Sequence, residues 1–238
     1  MVRVLVTRPE PGASRTAGRL EAQGYQPVLL PLTETVALAV EANLASDNAA
    51  AVAVTSANAV RHAPKELMTA LAALPCHAVG KRTAEACRAA GFSSVSEGPG
   101  DAAALADAIA GDLAGKAMVY LCGHVRFPAF EARLAAAGVR VEAVETYDTV
   151  EIDYDDADVL ARLSNEPVEA VLLYSAKATT ALAKLIEQQA WRHLFETTEF
   201  LALSARVAAP LEPTAGRSIR IAAQPDEEAL LKLLSQPR

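Results

Sequence analysis

The sequence predicts an α/β protein with two similar lobes, each a parallel sheet flanked by helices, joined by a two-stranded linker. Short apolar runs alternate with helical patterns along the chain, which is typical of buried parallel strands. Residues 52–60 (VAVTSANAV) contain a strand that ends in small polar residues and continues as a helix, and residues 170–179 repeat this design. Two strand–helix–strand units, whose helices end at Gly24 and Gly138, also resemble each other.

The composition is that of an ordinary globular protein. Of 238 residues, 52% are hydrophobic, 21% are charged and only 5% are aromatic. The net charge of -7, without a long basic run, argues against nucleic-acid binding. Because no apolar run could span a bilayer and the N-terminus does not read as a signal peptide, we expect no membrane partner and a cytoplasmic location. The three cysteines are predicted to be reduced core thiols.

In the first half of the chain, helices and strands are predicted from apolar runs, helix-capping residues, and prolines and glycines that interrupt regular structure. Ser14 or a neighbour is expected to cap the first helix. Thr33 to Val40 is extended, and a helix should follow it before the strand at 52–54. Pro64 opens one helix and Asp101 caps an alanine-rich one. The strands predicted for this half are 3–7, 28–30, 52–54, 76–80 and 93–97.

The second half is built in the same way. A helix opened by Pro128 ends at Gly138, and Asp226 caps a final amphipathic helix. The acidic residues at 153, 155, 156 and 158 indicate a solvated helix start rather than a metal site. The strands predicted here are 117–122, 139–144, 200–204 and 218–222, with an apolar strand before Tyr174 and an extended segment at 147–151.

The order of the repeats predicts how the lobes divide the chain. Residues 38–146 run without a break and should form one continuous lobe. Residues 1–34 plus 150–238 should then form a discontinuous lobe, so the chain leaves it and returns. The crossings at 33–37 and 146–150 are both extended and can pair as a hinge. A cleft between two such lobes is a usual place for a ligand.

Several motifs in order resemble the uroporphyrinogen-III synthase family over essentially the whole chain. They are Val6-Thr7-Arg8-Pro9, Thr55-Ser56-Ala57-Asn58-Ala59-Val60, Val79-Gly80 with Thr83-Ala84, Gly138 with Tyr147, and Tyr174-Ser175-Ala176. The resemblance implies an enzyme of tetrapyrrole biosynthesis that closes linear hydroxymethylbilane to uroporphyrinogen III, inverts ring D and releases water. It also implies a monomer without a cofactor. We further consider a transient hand-over of substrate from hydroxymethylbilane synthase.

The implied chemistry is first a problem of orientation. The substrate is a flexible chain with eight carboxylates, and ionisation of its terminal hydroxymethyl group gives a cationic azafulvene. Without guidance this cation would close head to tail to the symmetrical isomer. Holding the last ring so that its substituted carbon attacks, giving a spiro intermediate, can supply several kcal/mol, about 7–11 at the upper end.

Besides its loop arginine, the predicted continuous lobe contains three candidate residues, and a fourth, Tyr147, falls in the predicted crossing at 146–150. The resemblance implies carboxylate binding for Ser56 and Asn58, which could equally be plain helix caps. Thr83 matches the Thr-Ala motif and has the same alternative. Tyr147 is the implied catalytic residue, assisting loss of the hydroxyl by hydrogen bonding rather than full proton transfer. Its alternative is a hinge tyrosine packed for structure.

The remaining substrate-binding candidates are basic or hydroxyl side chains near strand ends. Loop arginines at the ends of equivalent strands, Arg8 and Arg126, could bind carboxylates as forked partners or be solvated. In the repeated turn, Ser175 matches Ser56, while Lys177 replaces Asn58 and could be a surface lysine. The corresponding later segment departs from the family pattern, since Ser204 replaces the usual glycine and Val207 stands where a threonine is common. Ser204 and Arg206 could substitute for the missing hydroxyl contact.

Two other functions fit parts of the sequence. A non-catalytic two-lobed binding protein of the periplasmic type would use the same lobes and hinge, but the N-terminus does not read as a signal peptide. A nucleotide-dependent Rossmann enzyme is disfavoured because no G-x-G-x-x-G or Walker sequence follows a strand. Four histidines, His62, His77, His124 and His193, show no spacing for a metal or a triad and are interpreted as ordinary.

Overall fold

The computed structural model describes residues 1–40, 48–126, 128–211 and 218–236. The chain forms two compact units: unit 1 comprises Met1–Glu34 and Val150–Arg238, and unit 2 comprises Thr35–Thr149. Each unit contains one sheet of mainly parallel strands flanked by helices, so the predicted fold class is confirmed. The helix expected before the strand at 52–54 lies outside the described residues.

Eleven strands are described, and all but one have three to seven residues. They are β1 Arg3–Val6, β2 Gln26–Leu29, β3 Thr33–Ala37, β4 Ala49–Val54, β5 Cys76–Ala78, β6 Val95–Glu97, β7 Ala117–Gly123, β8 Arg140–Glu151, β9 Ala170–Leu173, β10 Glu199–Ala202 and β11 Ser218–Ile221.

Ten α-helices are described between these strands. They are α1 Gly12–Ala22, α2 Ala57–Arg61, α3 Lys65–Leu71, α4 Lys81–Ala89, α5 Ala102–Leu113, α6 Pro128–Ala136, α7 Asp156–Leu163, α8 Ala176–Glu187, α9 Ala205–Ala208 and α10 Glu227–Lys232. Short 3₁₀ turns occur at Arg192–Phe195, Ala209–Leu211 and Leu233–Ser235.

The sheet of unit 1 has the order β11-β10-β9-β1-β2, and all its pairs are parallel. The N-terminal strand β1 therefore lies between β2, which follows it directly, and β9, which comes more than 160 residues later. Its residues are buried on both faces because helices cover both sides of a parallel sheet. Leu5, Val171 and Phe200 are fully buried in one core of this unit.

The sheet of unit 2 has the order β3-β8-β7-β4-β5-β6. Strand β7 lies at its centre, and all seven of its residues are buried. The sequence predicts separate extended segments at 139–144 and 147–151, whereas the structure has one strand, β8, of 12 residues. The crossing segments 33–37 and 146–150 lie in neighbouring strands β3 and β8, where Leu38 N–H donates to Thr146 O at 3.0 Å.

Most predicted helix signals are confirmed, with one correction. Gly24 and Gly138 follow α1 and α6 with φ of 81° and 78°, the left-handed conformation that ends a helix. The cap predicted at Ser14 is wrong. Helix α1 already begins at Gly12 without a side-chain cap, and the Ser14 hydroxyl donates to Glu10 Oε1 at 2.8 Å.

Two further features concern the chain as a whole. All three cysteines, Cys76, Cys87 and Cys122, are buried and free, as the sequence predicts. Within the described ranges, no helix combines the length and apolarity that crossing a membrane requires.

Two glycines of unit 2 test the packing described above. A Cβ at Gly111, in α5, would meet nothing within 4 Å, whereas one at Gly98 would lie 2.8 Å from Ala78 O and 2.9 Å from Leu105 Cδ1. We expect Gly111→Ala to raise the free energy of unfolding by about 0.5–1 kcal/mol. Gly98→Ala should lower it by about 1–3 kcal/mol because the backbone must shift.

Urea denaturation of the two variants beside the wild type measures both effects. Equal stability of Gly98→Ala and wild type would contradict the described approach of β5 to residue 98.

Candidate active site

The candidate site lies at the carboxyl edge of the sheet in unit 2. Strands β8, β7, β4 and β5 are neighbours, so the residues that follow them meet at one edge, where α/β proteins bind ligands. A cavity of about 350 Å³ opens there. It is lined by Thr55, Ser56, Val79, Gly100, Asp101, Ala102, Tyr120, Gly123, Val125, Arg126 and Tyr147.

The turn after β4 places two hydroxyl groups in this cavity. Ser56 has extended backbone angles and caps α2, with its Oγ accepting a hydrogen bond from Asn58 N–H at 3.2 Å. Thr55 Oγ1 lies 2.7 Å from the hydroxyl of Tyr120, which projects from β7. Helix capping and ligand contact are therefore compatible at Ser56, since its own O–H proton is not used by the cap.

Tyr120 is a buried phenol with a polar tip in the cavity. Its ring packs on Phe130 with centroids 4.6 Å apart, and 2% of the residue is exposed. Burial raises the pKa of Tyr120 to about 12, although the hydrogen bond with Thr55 opposes this shift. The group is therefore protonated at neutral pH and offers a hydrogen bond rather than a charge.

Tyr147 is placed by a bulge between β7 and β8. Cys122 pairs with Glu145 and Gly123 pairs with Tyr147, so β8 has one extra residue at this point. Gly123 leaves room for the ring: a Cβ there would be 2.7 Å from Tyr147 Cζ and 3.0 Å from its hydroxyl. None of the described residues forms a hydrogen bond with this hydroxyl, which leaves it available to a ligand.

Arg126 reaches the cavity while paired with two carboxylates. Its Nε donates to Glu131 at 3.1 Å and its Nη1 to Glu145 at 2.6 Å. Burial alone would lower the pKa of Arg126, but the hydrogen bonds with both glutamates raise it above its ordinary value. Glu145 also binds His124 Nδ1 at 2.7 Å, and this hydrogen bond raises the pKa of the exposed His124. The arginine is thus held in place beside the cavity.

Two candidates in unit 2 lie outside the lining of this cavity. Asn58 is in α2, and its Oδ1 accepts a hydrogen bond from Arg61 Nη1 at 2.9 Å. Thr83 is the third residue of α4 and is buried. The structure therefore brings together Ser56, Arg126 and Tyr147, while substrate binding by Asn58 and Thr83 stays a prediction.

In unit 1, Arg8 already has a carboxylate partner within the fold. Its Nη1 donates to Glu227 Oε1 at 2.9 Å, and its guanidinium lies 4.2 Å from the centroid of the Tyr174 ring. Glu227 also accepts hydrogen bonds from Thr16 and from the Tyr174 hydroxyl. Burial raises the pKa of Tyr174 to about 12. Arg8 thus binds a carboxylate of the protein through one nitrogen, and the forked contact with a substrate carboxylate stays a prediction.

The other unit 1 candidates lie at the carboxyl ends of adjacent strands β9 and β10. Ser175 caps α8 by accepting from Ala178 N–H at 3.2 Å, and Ser204 caps α9 by accepting from Val207 N–H at 3.4 Å. Lys177 and Arg206 are exposed residues in the first turns of these helices. Both serines therefore cap helices in the structure, and substrate binding by all four residues stays a prediction.

Sequence reasoning missed part of the cavity lining. Tyr120 lies within an apolar run and reads as a core residue, and Asp101 reads as a helix cap, which it also is, accepting from Ala104 N–H at 2.8 Å. Thr55 belongs to the turn that the sequence singles out, but the sequence assigns it no part in binding or catalysis. Gly123 is the last residue of β7 and Val125 lies two residues beyond it, so their position at a strand end was the available signal.

Comparisons with known proteins place the chain in a family. The family model described as uroporphyrinogen-III synthase HemD matches residues 14–232. The uroporphyrinogen-III synthetase structure from Helicobacter pylori is 18% identical, with a TM-score of 0.65 over 99% of both chains. A mutant uroporphyrinogen III synthase from Thermus thermophilus is 19% identical, with a TM-score of 0.56 over 99% of this chain and 98% of that one.

These two likenesses show a shared fold. No curated protein matched the sequence. The family match covers nearly the whole chain, including the turn at Ser56, Arg126 and Tyr147. The chain belongs to the uroporphyrinogen-III synthase family.

Proposed function

We propose that this protein closes linear hydroxymethylbilane to uroporphyrinogen III, with inversion of ring D and loss of water, at a site that includes the cavity of unit 2. The main support for the position of the site is that Ser56, Arg126 and Tyr147 line one cavity at the carboxyl edge of a sheet. The family match is the support for the proposed reaction.

Tyr147 has the role of assisting loss of the hydroxyl group. Breaking the C–O bond leaves a cationic azafulvene on the substrate, and the departing oxygen accumulates negative charge as it leaves as hydroxide. The proton that a pyrrole carbon loses after ring closure completes the water. A phenol whose hydroxyl has no partner among the described residues can donate a hydrogen bond to that oxygen. Such assistance needs no ionised tyrosine, and it is strongest where the ring is fixed.

Arg126 and the hydroxyls bind and orient the polyacid. The guanidinium carries five N–H donors, and no described residue accepts a hydrogen bond from its Nη2. A substrate carboxylate can therefore bind there without displacing Glu131 or Glu145. Ser56 and the Thr55–Tyr120 pair offer neutral hydrogen bonds, which suit an acidic protein that binds an acidic substrate. We assign the same orienting role in unit 1 to Ser175, Lys177, Ser204 and Arg206.

The finer assignments are proposals of the same kind. We assign the enzyme to the lyases that release water, acting without a cofactor as a monomer in the cytoplasm. Buried free thiols at all three cysteines suit a reducing compartment. Transient hand-over from hydroxymethylbilane synthase would limit the time in which the unstable bilane closes by itself. A non-catalytic binding protein of the periplasmic type is not favoured, because the family match is to an enzyme.

The first test replaces the catalytic phenol. We expect Tyr147→Phe to slow formation of the type III isomer by about 10- to 100-fold, the loss of one hydrogen bond to a developing charge. Ser56→Ala should cost only about two- to fivefold, since it removes a neutral hydrogen bond. Freshly prepared hydroxymethylbilane is supplied, and the isomers are separated after oxidation.

Tyr25→Phe is the matched control, because its ring packs against a core of unit 1. If neither Tyr147→Phe nor Ser56→Ala changes the rate or the isomer ratio, the site is misassigned even though the family is right.

The second test crowds the tyrosine without changing it. Gly123→Ala would place a methyl group 2.7 Å from Tyr147 Cζ, so the ring must move. We expect kcat to fall by about 10- to 100-fold, because small displacements of a catalytic group are costly. Gly111→Ala is the control, since its methyl group meets open space. Unchanged kcat in Gly123→Ala would mean that the position of the ring does not matter.

The third test concerns Arg126. We expect Arg126→Gln to raise KM about tenfold, equivalent to roughly 1.4 kcal/mol of lost substrate binding. Arg133→Gln is the control, since Arg133 is also ion-paired, to Asp107, but on an exposed surface away from the cavity lining. Steady-state kinetics of both variants decides the point, and equal KM values would remove Arg126 from the site.

A further inference from the structure

His62 links the helix that follows Ser56 to Tyr147, and both Ser56 and Tyr147 line the candidate site. It directly follows α2, the short helix that begins beside Ser56, and its backbone N–H donates to Asn58 O at 3.0 Å. The residue is partly buried, and it is absent from the lining of the cavity. Nothing in the sequence marked it as more than an ordinary histidine.

The imidazole ring contacts two other elements of unit 2. It stacks on the ring of Tyr147, with centroids 5.9 Å apart and planes inclined by 26°. Its Nε2 lies 2.8 Å from Thr35 Oγ1. Thr35 is on β3, and β3 neighbours β8, which carries Tyr147. The hydrogen bond with Thr35 therefore fixes the rotation of the ring that stacks on Tyr147.

The backbone of α2 is fixed to β8 at the adjacent position. Thr146 is fully buried, and its hydroxyl donates to Ala59 O at 2.7 Å. Successive residues of β8 thus contact α2 through the Ala59 carbonyl and the residue that follows α2 through the His62 ring. The distance between His62 and Tyr147 is consequently set by a buried hydrogen bond as well as by stacking.

The surroundings of His62 favour the neutral form of its imidazole. Burial lowers the pKa of His62, and the positive charge of the neighbouring Arg61 lowers it further. A neutral ring stacks on the phenol without bringing a charge next to the reacting groups.

We propose that His62 is a positioning residue for Tyr147, holding the phenol ring at the angle from which its hydroxyl reaches the departing oxygen. This inference rests on the proposed function, since it presumes that the Tyr147 hydroxyl assists the reaction. His62 makes no contact with substrate in this account and acts only through the ring on which it stacks.

A double-mutant cycle tests the inference. His62→Ala should lower kcat about tenfold while KM changes less than about twofold, because orientation is lost and substrate binding is not. In the Tyr147→Phe background, the same substitution should change kcat by less than about twofold, because the hydroxyl that His62 positions is already gone. Type III formation from hydroxymethylbilane is the readout throughout.

Two variants separate the contacts, and a third is the control. Thr35→Val removes only the hydrogen bond, and its smaller loss of kcat should also disappear in the Tyr147→Phe background. His62→Phe keeps an aromatic ring for stacking and should recover part of the activity that His62→Ala loses. His77→Ala should leave kcat unchanged, since His77 is likewise hydrogen bonded to a hydroxyl, that of Ser96, but has no contact with Tyr147.

The outcomes are distinct. Equal losses from His62→Ala in the wild-type and Tyr147→Phe backgrounds would overturn the inference and leave the proposed function intact. If His62→Ala does not fold, the Thr35→Val cycle decides in the same way. If the wild-type enzyme yielded only the unrearranged isomer, the proposed function itself would be overturned. If Tyr147→Phe kept the wild-type rate, the role of the phenol would be overturned, and the positioning role of His62 with it.

Discussion

The extra residue of β8 opposite the end of β7 is the constraint on which the candidate site depends. Cys122 pairs with Glu145 and Gly123 with Tyr147, so Thr146 is not paired in register with any residue of β7. Side chains alternate along a strand, so one residue fewer would reverse the face on which position 147 stands. The bulge lets Thr146 bind Ala59 inside the core while Tyr147 lines the cavity.

The fold class was predictable because local signals agree with it. Apolar runs, glycine stops and serine or aspartate caps mark most of the elements. Ser56, Arg126 and Tyr147 could be placed together because strands of one sheet end at one edge. The bulge and the side chain of Tyr120 could not, because both depend on how β7 packs against its neighbours. An apolar run with one tyrosine reads simply as core.

The two loop arginines illustrate the limit of reasoning from residue type. Both were predicted to bind carboxylates, and in this structure both bind glutamates of the protein. Glu227 is more than 200 residues from Arg8, so no local pattern could reveal the pair. A partly buried arginine is stabilised by a counter-charge, and the fold supplies one before any substrate arrives. Arg126 differs because it also lines the cavity.

The position of β1 between β2 and β9 has a consequence for biosynthesis. During synthesis, β1 and β2 are made before the other strands of this sheet and have only each other to pair with, and a lone pair of strands is marginally stable. Residues 35–149 can meanwhile complete a sheet of their own. The sheet of unit 1 is completed only when β9, β10 and β11 have been translated, so β1 reaches its contacts with β9 only after residues 35–149 have been made.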